Sequence, residues 1–209
     1  MLDTVILAGG RSGRMKGKYK AFFPLLDKPL IKWLIDALNP VSNNVIVVVH
    51  DFKQKRKMLE YFKNSKIKIV EDKIREIQAP IIGALSGAEA ANEEFLFLVS
   101  CDQPFVTSKI VLEMKKACQK FDACIPRWPN GYLEPLTAIY KREKYVDAVR
   151  EALRNNEMRS IAPLKYLKCF FIDVYKLSEN PYITFYNINT LEDYQKAREI
   201  ALKFRTRTC

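Results

Sequence analysis

Four of the seven glycines in the chain, Gly9, Gly10, Gly13 and Gly17, fall within LAGGRSGRMKGKYKAF, a stretch that also carries Arg11, Arg14, Lys16, Lys18 and Lys20. Glycine lets backbone N–H groups approach a ligand closely, and the cations mark that ligand as an anion. Phosphate suits both. The spacing matches neither common phosphate signature. A Walker loop needs G-x-x-x-x-G-K-[ST], whereas Gly17-Lys18 is followed by Tyr19 and preceded at the first glycine position by Ser12. A dinucleotide fingerprint needs G-x-G-x-x-G, whereas this loop reads G-G-x-x-G-x-x-x-G.

Asp102 is the second candidate for chemistry. It emerges just after the apolar run Phe95-Leu96-Phe97-Leu98-Val99, with Pro104 stiffening the turn beyond it. One or two carboxylates, completed by waters and substrate phosphates, are enough to hold Mg²⁺. Capping of the following helix is the alternative role, although Thr107 or Ser108 can fill that position. The only histidine, His50, rules out schemes that need two imidazoles and reads as a boundary residue at a strand end. Cys101, Cys118, Cys124, Cys169 and Cys209 contain no C-x-x-C pair, so they encode neither a zinc site nor a disulfide framework and read as reduced, mostly buried thiols.

The elements that must position these groups alternate. Thr4 to Ala8, Val45 to Val49, Ile67 to Val70 and Phe95 to Val99 read as buried strands. Helices are expected at Pro29 to Leu38, Phe52 to Lys63, Pro80 to Ala91 and after Thr107 or Ser108. This order predicts an α/β fold: a doubly wound, Rossmann-like, mostly parallel sheet. Such sheets bind ligands beyond the carboxyl ends of their strands, which makes the Gly9 loop, His50, Glu71-Asp72 and Cys101-Asp102 neighbours on one rim. The second half is less regular, with strands expected at Leu136 to Tyr140 and Cys169 to Val174. Helices are expected there at Tyr145 to Arg154 and Leu191 to Phe204. Thr190-Leu191-Glu192-Asp193 resembles a capping box with Asp in the fourth place. No repeat, linker or low-complexity tract divides residues 1–209, so a single domain is expected.

Composition sets the outer limits. A hydrophobic share of 48% over 209 residues excludes general disorder. The apolar runs are strand-length, not the roughly 20 residues of a membrane span, and Met1-Leu2-Asp3 leads directly into a strand without a signal-peptide pattern. A cytoplasmic location is the expectation. The formal net charge of +11 suits a nucleic-acid binder, a membrane-surface protein or an enzyme with polyanionic substrates. The basic segment Lys53-Gln54-Lys55-Arg56-Lys57 reads as a solvated helix face.

ILAGGRSGRM with Lys20, VED at 70–72, PIIGALSGAEAA at 80–91, SCDQPF at 100–105, EPLTAIY at 134–140 and NINTLEDY at 187–194 occur in one order. As an ordered set they resemble the molybdenum cofactor guanylyltransferases, the MobA family, over almost the whole chain. The resemblance implies a nucleotidyltransferase-type fold, GTP and Mg²⁺ as ligands, and molybdopterin or Mo-molybdopterin as acceptor. It implies that Leu7, Ala8, Gly9 and Gly10 lie along the nucleotide and that Asp72 is the acidic residue on the base side. Lys20 is implied as the nucleotide-binding lysine, Asp102 as the Mg²⁺ ligand, and Asn189, with Asn187 nearby, as part of the metal end. Arg14 and Lys20 with Asp102 form the implied catalytic set. The family commonly reads R-M-G followed closely by D-K, whereas this chain reads Arg14-Met15-Lys16-Gly17-Lys18-Tyr19-Lys20, which leaves Lys18 as an alternative to Lys20. The Asn of the family after the second strand is replaced in this neighbourhood by His50 or Asp51.

Two other functions compete. A cytidylyltransferase or sugar- or alditol-phosphate nucleotidyltransferase shares the architecture, but cofactor cytidylyltransferases typically read L-A-A-G where this chain has Leu7-Ala8-Gly9-Gly10. A basic nucleotide- or RNA-binding protein would need aromatics and cations clustered on one sheet face, and no such consensus is present, so no nucleic-acid partner is expected. For the region Ile125 to Pro135, Arg127, Trp128 and Tyr132 could meet a pterin phosphate or merely pack locally, and Asn130-Gly131 reads as a tight turn.

Overall fold

Val, Ile, Leu and Phe dominate the central strands because those strands are covered on both faces. In a computed structural model describing residues 1–10, 19–63, 65–73 and 79–206, nine strands form: β1 (Asp3–Leu7), β2 (Pro24–Leu25), β3 (Lys28–Pro29), β4 (Val45–Val49), β5 (Lys68–Glu71), β6 (Phe95–Ser100), β7 (Ala123–Arg127), β8 (Thr137–Lys141) and β9 (Cys169–Asp173). The helices are α1 (Leu30–Leu38), α2 (Phe52–Tyr61), α3 (Pro80–Ala90), α4 (Ser108–Ala117), α5 (Arg142–Arg154), α6 (Val174–Leu177), α7 (Pro181–Thr184) and α8 (Leu191–Thr206).

Seven strands make one sheet in the order β5-β4-β1-β6-β8-β7-β9, with β2 and β3 forming a separate short ribbon. β1 pairs in parallel with both β4 and β6, β4 with β5, and β7 with β9. Only β8 runs against its neighbours, so β7 points the same way as β6. The expected mostly parallel α/β sheet is therefore present. Strand order reverses between β1 and β6, and a crevice opens at their carboxyl ends. Gly9-Gly10 and Cys101-Asp102 lie there.

The core explains the register. Val5, Ile6, Ile46, Val47, Leu96, Phe97 and Leu98 are fully buried. α3 packs on β1, β4 and β5, and its Gly87 has no room for a side chain: a Cβ would sit 2.2 Å from Val5 Cγ1. Asp3, also fully buried, fixes the start of β1. Its Oδ1 accepts from the backbone and side chain of Asn44, and its Oδ2 from the backbone N–H groups of Asn92 and Glu93. A second cluster of Phe23, Leu25, Leu30, Phe105, Ile188, Ala197 and Ala201 docks α8 beside the β2–β3 ribbon.

One strand went unread and one helix start needed correction. β7 was not legible because Pro126 interrupts A-C-I-P-R, yet its pairing with β8 is confined to Ala123 and Cys124, ahead of the proline. α5 starts at Arg142 rather than Tyr145, since its first turn is charged and carries Glu143 where a carboxylate favours a helix N-terminus. Among the described residues no helix is long and apolar enough to cross a membrane.

Candidate active site

The crevice holds two polar clusters. At the β6 end, Lys20 Nζ donates to Asp102 Oδ2 at 2.9 Å and to Asn189 Oδ1 at 2.8 Å, joining residues from three distant segments. Each has a local reason to be there. Lys20 opens a short 3₁₀ turn, Lys20–Phe22, whose Ala21 is fully buried. Asp102 follows β6, and its backbone oxygen accepts from Ile188 N–H at 3.0 Å, tying the two segments together. Asn189 precedes α8, where Thr190 and Asp193 form a reciprocal capping box: Asp193 N–H donates to Thr190 Oγ1 at 3.1 Å and Thr190 N–H to Asp193 Oδ2 at 2.8 Å. Asn189 N–H also donates to Asp193 Oδ2, at 2.9 Å. Partial burial pushes the Asp193 carboxyl up, but the N–H groups of Asn189 and Thr190 prevail and hold it below the usual range.

Asp102 Oδ1 is the informative atom. It is buried and takes no hydrogen bond among the described residues. Buried carboxylate oxygens ordinarily find a donor, so one left open beside an ammonium and an amide oxygen is suited to a further cation. α4 begins at Ser108 with Thr107 at its N-cap position, so Asp102 does not cap that helix.

At the β4 end, the second cluster centres on Asp72, a buried carboxylate whose Oδ2 lies 3.1 Å from His50 Nδ1. Burial raises the Asp72 pKa, only partly opposed by the hydrogen bond from His50. His50 N–H donates to Gln54 Oε1 at 2.8 Å, and Gln54 Nε2 donates back to the Gly9 carbonyl at 3.3 Å. Gly9 must be small, because a Cβ there would lie 3.0 Å from the His50 backbone nitrogen. Among the described residues nothing lies within 4 Å of a Cβ built on Gly10. A glycine that no described residue crowds is consistent with ligand approach.

Sequence reasoning placed the Gly9 loop, His50, Asp72 and Asp102 on one rim, the family resemblance added Leu7, Ala8, Lys20 and Asn189 to the site, and the structure brings Lys20, Asp102 and Asn189 into direct contact. Arg14 and Lys18 lie outside the described residues. His50 turns out to be a partner of Asp72, and Gln54 is buried, with Met58, on the inner face of a lysine-rich helix. A third group went unread. Glu134 is buried, accepts from Trp128 Nε1 at 2.9 Å and from Gln103 Nε2 at 3.4 Å, and its pKa is raised first by burial. Its signal was a lone carboxylate ahead of the apolar run of β8.

Comparison with known proteins fits this geometry. A family model described as the MobA-like NTP transferase domain matches residues 4–167. A probable molybdenum cofactor guanylyltransferase of Methanosarcina acetivorans is 33% identical over 201 residues, covering 92% of this chain and 88% of that one. The crystal structure of molybdopterin-guanine dinucleotide biosynthesis protein A from Archaeoglobus fulgidus superposes with a TM-score of 0.82 at 26% identity, covering 97% of this chain and all of that chain. A 2-C-methyl-D-erythritol 4-phosphate cytidylyltransferase from Thermus thermophilus shares the fold alone, at TM-score 0.70 and 17% identity, covering 97% of this chain and all of that one. With six ordered motifs, a converging site and a matched family model, the chain belongs to the MobA-like NTP transferase family.

Proposed function

We propose that this nucleotidyltransferase is a molybdenum cofactor guanylyltransferase of the cytoplasm. It moves GMP from GTP to the phosphate of molybdopterin, or of its molybdenum-loaded form, with release of pyrophosphate. The observation that carries the reading is Asp102 Oδ1, without a partner among the described residues, beside Lys20 and Asn189 at the crevice where β1 and β6 diverge. The names of the relatives point to the same reaction.

The donor set suits Mg²⁺: oxygen atoms from Asp102 and Asn189, to which waters and substrate phosphates would add to complete an octahedron. When bound, the ion would polarise the phosphates and spread the charge that develops on the leaving group. The protein's own residues do the rest. Gly9 and Gly10 present bare backbone to the nucleotide, with Leu7 and Ala8 behind them. Asp72, oriented by His50, offers a hydrogen-bond acceptor on the base side. Lys20 supplies a positive charge next to the reacting phosphates, and Arg14 is proposed to do the same.

A phosphate oxygen of the acceptor attacks the α-phosphorus, the bond from that phosphorus to the bridging oxygen of pyrophosphate breaks, and a mixed diester remains. A phosphomonoester has its second pKa near 6, so the nucleophile is already ionised at neutral pH and needs no general base. His50 is accordingly free to serve Asp72. Bringing two anions together is the main obstacle, and fixed cations in a partly dry crevice lower it.

Pyrophosphate release tests the reading. The purified protein should release it from GTP only when Mg²⁺ and molybdopterin are both present. Equal turnover with CTP would defeat the guanine assignment.

A further inference from the structure

The chain around Asp102 is held at three places, each by a different element. Before it, Cys101 N–H donates to the Leu7 carbonyl of β1 at 3.0 Å. At Asp102 itself, the carbonyl accepts from Ile188 N–H, just ahead of α8, at 3.0 Å. After it, the side chain of Gln103 reaches toward β8: its Oε1 accepts from the Thr137 hydroxyl, and its Nε2 donates to Glu134 Oε2 at 3.4 Å. The first two are main-chain bonds, which side-chain identity does not determine. Only the third depends on which residues the sequence supplies.

That third mount is buried. Gln103 is 2% exposed, Glu134 7% and Thr137 not at all. Polar groups in so dry a place cost stability unless they are paired, and these are. Thr137 opens β8 as the register partner of Val99 on β6, and its N–H donates to the Glu134 carbonyl at 3.0 Å. Glu134 is tied down in turn, since its N–H donates to the Pro126 carbonyl at 3.0 Å and its Oε1 accepts from Trp128 Nε1. With Oε1 of Gln103 taken by the hydroxyl, Nε2 faces the carboxylate, and the amide cannot turn over without unpairing both neighbours.

Asp102 needs a fixed mount. Lys20 holds Oδ2 from the open side of the crevice, while Oδ1 is buried without a partner among the described residues. A loop free to swing would carry Oδ1 to water or to a nearby N–H group, because a buried carboxylate oxygen ordinarily finds a donor. It stays open only if the chain that carries it does not move.

We propose that Gln103, locked by Thr137 and Glu134, is the positioning residue that keeps Asp102 in the arrangement that leaves Oδ1 open. The proposal rests on the transferase reading above for the cation that Oδ1 serves, and on the hydrogen bonds for the positioning itself.

The test uses the full chain and four variants. Thr137→Val removes the hydroxyl and keeps the shape, Thr137→Ser keeps the hydroxyl, and Gln103→Met keeps the length of the side chain without its amide. Thr4→Val makes the same change at the opposite end of the sheet, where the fully buried Thr4 Oγ1 lies 2.6 Å from Ser42 Oγ. Amide hydrogen exchange at Ile188, measured without ligand, reports whether the Asp102 loop keeps its place. Thr137→Val and Gln103→Met should speed that exchange about tenfold and cut the Mg²⁺-dependent gain in GTP affinity, read by titration calorimetry, by a similar factor. GTP affinity without Mg²⁺ should change less than twofold. Thr137→Ser should recover both readouts, and Thr4→Val, although it melts lower, should leave both as in the wild type. Unchanged exchange at Ile188 in Thr137→Val, an Mg²⁺-dependent gain there equal to that of the wild type, or losses of the same size in Thr4→Val would overturn the proposal. If Gln103→Met does not fold, the two Thr137 variants decide by the same criteria. If Mg²⁺ does not tighten GTP binding even in the wild type, the cation reading falls, and exchange at Ile188 alone decides the positioning.

Discussion

Lys20 Nζ and Asp102 Oδ2, 82 positions apart in the chain, meet at 2.9 Å, and the same ammonium reaches Asn189. The contact brings the glycine-loop, β6-end and α8 segments together at one point. Asp102→Asn should lower kcat by about 10²–10³ while leaving the folded state intact, because the Asn keeps the shape and removes the charge. Lys20→Ala should cause a loss of similar size, with partial recovery in Lys20→Arg. Steady-state pyrophosphate release together with thermal melting separates these effects from unfolding.

The glycines divide by role. Gly87→Ala drives a methyl into Val5 and Val48 and should destabilise the fold by about 1–3 kcal/mol, with nucleotide KM unchanged in the folded fraction. Gly10→Val meets no atom of the described residues, so its melting temperature should match the wild type while KM for GTP rises. Denaturant melts and saturation curves on both variants would show the crossed pattern. A large loss of stability in Gly10→Val would contradict it.

Asp72 gives a pH-dependent signature. Burial raises its pKa in the folded state above the unfolded value, so the folded protein binds this proton more tightly. Its contribution is then most favourable below the unfolded pKa and is lost as pH rises through the folded one. Relative to the wild type, Asp72→Asn should become more stable as pH rises above the ordinary carboxylate value of about 4. The difference in melting temperature across that range is the observable, and a flat difference would contradict the assignment.

The four thiols among the described residues should be inert while the protein is folded. Burial pushes Cys101, Cys118 and Cys124 up to about 12 and Cys169 up to about 11. Thiolate is the reactive form, so alkylation at pH 8 should spare all four until denaturant is added. Peptide mapping after iodoacetamide treatment reads this directly.

Much of the architecture was legible because its signals are local. The runs Val45–Val49 and Phe95–Ser100 announce buried parallel strands, and Pro80 opens α3 as a helix-starting proline should. The Thr190–Asp193 capping box could be read from four residues. Asp102 and Lys20 were found singly, the first from its place after a strand, the second from the cationic loop and the family resemblance. Their direct contact depends on tertiary closure that no spacing encodes. For the same reason the His50–Asp72 pair and the Trp128–Glu134–Gln103 chain escaped notice: each joins side chains whose separate readings were a boundary residue, a base-side acid or local packing. β7 was hidden by a proline that the edge of its pairing tolerates.

The central claim is that Asp102 supplies the cation-holding oxygen at the phosphate end of the site. Titration calorimetry of GTP, with and without Mg²⁺, into the wild type and Asp102→Asn tests it most directly. The account predicts that Mg²⁺ tightens GTP binding to the wild type about tenfold or more and has little effect on the variant. An equal Mg²⁺-dependent gain in both proteins would contradict it.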